Sequence, residues 1–354
     1  MTLPTESIGS IPRPPKLLDA IEQFRLGKLS RDKLDSYYDE ALKDTIIRLE
    51  ATGSPVISDG EQTKSSFATY PLTNLSNIAA DGITIPFEDG HTRQLPKLTA
   101  GPFKYGIHAG AYVKAAKRYT NKPVKQAVIS ASALSLLYPG EGIAGYSREQ
   151  FLEDLILETV ADIRGCLDAG AYRIQIDFTE GRLSVKLDPS KKLLQNFIDL
   201  NNRVLDHFAP EERKRIGVHT CPGGDHDSTH SADVDYADLI PDLFKLEASN
   251  FYMQLASEKN PEHVLGVVKN HLKPGQRIYV GVIDVINPDV EEPGQVRDRI
   301  LQAAEYIPVA QLGTTDDCGF SPFEDDTSTG RDTAFAKIKA RVVGTELASK
   351  ILKC

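Results

Sequence analysis

The chain has only four cysteines in 354 residues, Cys166, Cys221, Cys318 and Cys354. They are too few and too scattered for a disulfide framework, so they read as thiols available for metal or chemistry. A basic excess is also missing: 41 Lys and Arg stand against 50 Asp and Glu, a formal net charge of −9. That excludes nucleic acid as the main partner, because binding phosphates needs a basic surface. No apolar run approaches the roughly 20 residues that span a bilayer, which excludes a membrane helix. The opening "MTLPTESIGS" lacks the basic-then-apolar order of a secretory signal, so the expected compartment is the cytoplasm. No Gly-x-Gly-x-x-Gly or Walker sequence follows the first strand-like segments, which removes the usual nucleotide-binding open sheets.

What is present is an ordinary globular composition, 40% hydrophobic and 26% charged. Strand-like apolar segments alternate with amphipathic helices, the rhythm of a parallel α/β fold. The pattern predicts strands near 5–10, 54–59, 125–132, 172–177, 215–220, 243–248, 278–284 and 309–315. It predicts helices near 30–52, 147–169, 193–208, 293–306 and 331–351. Ser147 and Gln150 are spaced as a capping box, and Gly170 suits a left-handed stop. Eight such strands fit a single (β/α)8 barrel over residues 1–354. The stretch 75–115 breaks the rhythm with "DG" and "GP" turns, as a β-hairpin insertion does.

Reactive groups of a parallel barrel sit at the carboxyl ends of its strands. Reading only those positions collects Ile8, Gly9 and Ser10, then Asp59 and Glu61, then Asp177 with Glu180. His219 and Cys221 in "GVHTCPG" follow, then Glu247 in "FKLEAS", Asp284, and Asp316, Asp317 and Cys318 in "GTTDDCGF". His219 and Cys221 are two apart, so on an extended strand they face the same way. By itself the His-x-Cys spacing is weak evidence. A histidine, two cysteines and a carboxylate from three strand ends of one rim are a donor set suited to zinc. Taken singly, Cys318 reads first as a small core residue and Glu247 as a helix cap; all four on one rim is what favours the metal.

These motifs resemble the catalytic C-terminal barrel of the cobalamin-independent methionine synthase family. "ESIGSIP", "VISDGEQTKSSF" and "YRIQIDFTEGRL" are similar to its first, second and fourth strand motifs. "GVHTCPG", "FKLEAS" and "GTTDDCGF" resemble its metal motifs, and the likeness runs in order along nearly the whole chain. The resemblance implies zinc on His219, Cys221, Glu247 and Cys318. It implies an amino-acid thiol, homocysteine, held by Ile8, Ser10, Glu61 and Asp177, with Asp284 beside the reacting groups. It further implies methyl transfer from a folate or another donor to that thiol, so that the expected partners are a small-molecule thiol and an alkyl donor.

Two positions depart from the family pattern. Where the family carries an acid histidine after the seventh strand, this chain has Ile286. Where the family stacks its pterin on a tryptophan, this chain has no tryptophan, and Tyr138 is the nearest aromatic. His226 and His230 are the remaining candidates for the acid. Two alternatives stay open at this point. One is a zinc-dependent alkyltransferase of the epoxyalkane:coenzyme M transferase type; the other is a zinc-stabilised binding protein without catalysis.

Overall fold

The computed structural model describes residues 2–354. Six parallel strands form one continuous sheet: Lys125–Ile129, Arg173–Asp177, Ile216–Thr220, Asn250–Met253, Arg277–Gly281 and Leu312–Thr315. Nearly every residue in them is buried, which is why they read as apolar runs and not as alternating ones. Both edges are covered. Thr5 pairs in parallel with Thr314 at one edge, and Ile57 with Val124 at the other. The two outer segments then join, since Ile11 N donates to Gly60 O and Ser58 Oγ to Gly9 O. The ring therefore has eight positions, the (β/α)8 barrel that the alternation predicts.

Helices Arg31–Ala51, Arg148–Asp168, Lys192–Leu205, Pro293–Ala304 and Arg331–Leu352 lie close to their predicted bounds. Ser147 and Gln150 do form the capping box. The insertion is narrower than predicted. Its two antiparallel ladders, Ile78–Ala79 with Lys97–Leu98 and Thr84–Pro86 with Thr92–Gln94, end before residue 99. Gly110–Ala116 is a helix packed on Arg148–Asp168. No helix among the described residues is long and apolar enough to cross a membrane.

The sixth strand lies elsewhere than predicted. Residues 243–248 are not a strand; they end the helix Tyr236–Leu243 and the turn after it. The strand is Asn250–Met253, so its carboxyl end is Gln254 and not Glu247. A polar layer fills the barrel below the rim. Glu6 accepts from Arg173 Nε at 3.0 Å, from Tyr279 OH at 3.0 Å and from Tyr252 OH at 2.5 Å. Burial pulls Lys125, in the same layer, down to about 7.

Candidate active site

His219 and Asp177 are paired in register on adjacent strands, as are His219 and Tyr252. His219 Nδ1 lies 3.2 Å from the Tyr252 carbonyl oxygen, which can only accept, so Nδ1 carries the proton. The opposite nitrogen, Nε2, is buried with no partner. Two residues further along, Cys221 Sγ lies 3.3 Å from Cys318 Sγ, and both cysteines are free. The ligand atoms of His219, Cys221 and Cys318 all fall within 4.8 Å of one another. Gly223 N–H donates to Cys221 Sγ at 3.4 Å. Gly223 is required twice: its φ is +72°, and a Cβ there would meet His230 Nε2 at 1.7 Å. The Cys221 contact and then burial push the Cys318 thiol well above its ordinary value in the absence of a cation.

These donors border a cavity of about 330 Å³, which Ile8, Ser10, Glu61, Asp177 and Glu180 also line. Asp177 Oδ1 accepts from Gln175 Nε2 at 2.7 Å. Burial raises its carboxyl to about 6 against the pull of His219. Glu61 stands at φ 55°, a left-handed conformation that costs a non-glycine residue on the order of 1 kcal/mol or more. Arg13 holds it there by donating to the carbonyls of Glu61 at 2.9 Å, Lys64 at 2.7 Å and Ser321 at 3.1 Å. That buried guanidinium joins the loops after the second and eighth strand positions. Glu61 Oε1 accepts from the buried Lys64 Nζ at 2.8 Å, so the carboxylate enters the cavity already half-neutralised. Glu180 Oε1 accepts from Ser130 at 2.5 Å and from Ser132, while Oε2 is buried and unpartnered. Burial raises Glu180 to about 7.

Several predicted residues are not brought here. Glu247 is half-exposed, precedes its strand, and pairs with Arg213 at the opposite end of the barrel from the cysteines. It is no part of the sulfur-imidazole group. Tyr138 lies outside the cavity lining: its hydroxyl donates to the Tyr146 carbonyl at 2.7 Å and its ring packs on Phe151. Asp284 and Ile286 line a second cavity of about 500 Å³, which shares Cys318 with the first. Asp284 Oδ1 there accepts from the Ile286 and Asn287 N–H groups at 3.1 and 3.3 Å. His226 and Asp227 are the two positive-φ residues of a tight hairpin turn. His230 is buried against Phe87, and burial lowers it to about 4.

The inserted hairpin roofs the first cavity, contributing Ile85, Phe87, Arg93 and Leu95 to its lining. Arg93 donates to both oxygens of Asp225 and, at 2.9 Å each, to both oxygens of Asp325. Asp225, His226 and Asp326 converge closely enough to suggest a second cation site. The Arg93 guanidinium already supplies the positive charge there.

With this geometry in place, comparison with known proteins is decisive for the family. The family model described as "Cobalamin-independent synthase, Catalytic domain" matches residues 3–339. The chain belongs to that family. A 5-methyltetrahydropteroyltriglutamate–homocysteine methyltransferase of Vibrio cholerae is 25% identical over 326 residues, 90% of this chain and 40% of that protein. The chain thus spans about two fifths of the longer relatives' length. A methionine synthase of Sulfurisphaera tokodaii is 23% identical over 99% of this chain and 94% of its own. Among solved structures, a B12-independent methionine synthase from Shewanella sp. W3-18-1 superposes with a TM-score of 0.77 at 20% identity, covering 100% of this chain and 99% of that one. At that identity the likeness establishes the fold.

Lys64 gained no site role from the sequence, and Glu180 was collected at the rim only as a neighbour of Asp177. Glu180 stood beside Asp177 in the motif, and its spacing of three from a strand end was the available signal. Lys64 is three residues after Glu61, and nothing in the pattern distinguishes it from a surface lysine.

Proposed function

We propose that this synthase-family barrel, residues 1–354 acting as one catalytic unit, methylates the sulfur of homocysteine with zinc held by His219, Cys221 and Cys318. One observation carries the reading: an imidazole and two thiols line the same cavity as two buried carboxylates, Asp177 and Glu61. Three features fit zinc. The donors are soft sulfur and imidazole, His219 Nε2 is an orphaned buried atom, and Nδ1 is fixed by a carbonyl as ligating histidines are. When bound, zinc makes an incoming thiol a thiolate near neutral pH, where a free thiol of pKa about 8.5 is mostly protonated.

The chain's own residues do the positioning. Asp177 ionises at a cost because it is buried, and an α-ammonium beside it offsets that cost. Glu61 offers the same cation an oxygen while Lys64 holds the other. Ile8 and Ser10 line the same cavity, and the hairpin partly covers it. The curated relatives' names support homocysteine as the acceptor.

For the donor, we infer a methyl carrier that needs no proton on leaving. Ile286, at the second cavity, offers none, and general-acid help is typically worth about 10²–10⁴-fold. A methylated corrinoid or a sulfonium therefore turns over faster than methyltetrahydrofolate.

The test of the acceptor is calorimetric. Zinc-loaded protein binds homocysteine about 10- to 100-fold tighter than 2-mercaptoethanesulfonate, the worth of one charge-assisted hydrogen bond. Asp177→Asn abolishes most of that preference. Equal binding of the two thiols by the unaltered protein contradicts the reading.

A further inference from the structure

Structural zinc sites are closed by four protein donors, and sites that accept a substrate keep one position exchangeable. Here three donors are assembled and Glu247, the carboxylate expected to complete them, lies at the other end of the barrel. The strand register shows what occupies the corresponding place. Met253 pairs with Thr220, so Gln254 is opposite Cys221 on the adjoining strand. Gln254 follows Tyr252 by two, as Cys221 follows His219 by two. Tyr252 and His219 are an in-register pair, and Tyr252 reaches Glu6 inside the barrel. Alternation therefore turns Gln254 and Cys221 to the same inner face.

The amide is also oriented. Gln254 Nε2 donates to Ser257 Oγ at 2.8 Å, and Ser257 Oγ donates to Asp317 Oδ2 at 2.7 Å. Asp317 further accepts from the backbone of Leu255, Ala256 and Ser257, each within 2.9 Å. With the nitrogen end tied down, Gln254 Oε1 is left buried and without a partner. A buried carbonyl oxygen in that condition is destabilising unless a donor or a cation engages its lone pairs. Asp317 immediately precedes Cys318 in the chain, so one carboxylate sets both the amide and the strand end that carries the second sulfur.

We infer that Gln254 Oε1 is the fourth, exchangeable donor of this chain's metal site. The inference rests on the zinc reading above. Its chemical consequence is electrostatic. Two thiolates, an imidazole and a neutral amide around a divalent ion sum to zero charge, whereas a carboxylate in that place leaves the site at −1. The neutral oxygen holds the ion less firmly and yields more readily to an entering thiol.

The experiment uses the full chain stripped with a chelator and titrated with Co²⁺, whose visible bands report donor type and number. Glu at this position adds a charge, so Gln254→Glu should bind Co²⁺ at least about tenfold tighter than the unaltered protein. Gln254→Leu should bind at least about tenfold more weakly, the scale on which even outer partners of metal ligands act. Both should show bands displaced from those of the unaltered protein. If the two variants keep its affinity and spectrum, the inference falls while the zinc reading stands. If the unaltered protein takes up no Co²⁺, both fall. Gln254→Glu keeps the test decisive should Gln254→Leu fold poorly.

Discussion

His219, Cys221 and Cys318 stand on strand ends of the barrel, where His219 Nε2 and, on the adjoining strand, Gln254 Oε1 are buried and unpartnered. The hairpin above them is the opposite case. Arg93 makes bonds to two aspartates, Phe87 stacks on His91 at 4.3 Å, and Glu88 N–H is satisfied by the Thr229 carbonyl. Unmet valence at the wall marks a place for a ligand, since natural interiors rarely leave buried polar atoms without partners. Saturated pairing in the roof marks a structural cover. The wall should therefore govern chemistry and metal content, and the roof should govern access.

The largest effect expected of this contrast is at the sulfurs. Cys221→Ser or Cys318→Ser should remove nearly all bound zinc and methyl transfer. Melting of the metal-free protein should shift little, because the strand core lies below the rim. Full zinc occupancy in both variants, measured by elemental analysis, would overturn the division between wall and roof.

Glu180 gives the next largest effect, on stability. Its carboxyl is raised from an ordinary 4.5 to about 7 by burial. Folding thus favours its protonated form: the stabilisation is whole below the unfolded value and is lost as pH rises through the folded one. The difference is about 3 kcal/mol. Glu180→Gln removes the titration, so relative to the unaltered protein it should gain stability as pH rises from about 4.5 to about 7 and hold that gain above it. Parallel melting curves across that range would show that Glu180 does not titrate there.

The smallest effect belongs to the roof. Arg93 is partly exposed, so its ion pairs are open to screening by salt. Arg93→Ala should leave zinc content unchanged and raise the KM for homocysteine by about tenfold or less, with a kcat nearly unaltered. Loss of zinc in this variant would mean that roof and wall are one unit.

The barrel was legible because its strands are continuous apolar runs and its long helices carry caps, as at Ser147. Short elements were less so. In 236–253 the buried residues Leu243, Phe244 and Leu246 fit a strand as well as a helix end, and periodicity does not separate the two. The Asp235 cap, whose side chain accepts from Ala237 N–H, was the signal that a helix begins there. Missing it moved the strand end from Gln254 to Glu247 and put a carboxylate on the wrong end of the barrel. Tyr138 was chosen by its place in the sequence, but a 3₁₀ turn over Ser135–Leu137 leads the chain to where its ring meets Phe151. Lys64 and Gln254 were hidden for another reason: their roles depend on register and burial, which no local pattern encodes.

The central claim is that the cavity places a substrate sulfur on a metal held by Cys221 and Cys318. The zinc K-edge absorption spectrum of the loaded protein, taken with and without saturating homocysteine, tests it most directly. The account predicts that the sulfur shell grows by one on adding homocysteine and that the oxygen contribution falls. A sulfur shell unchanged by bound homocysteine would contradict it.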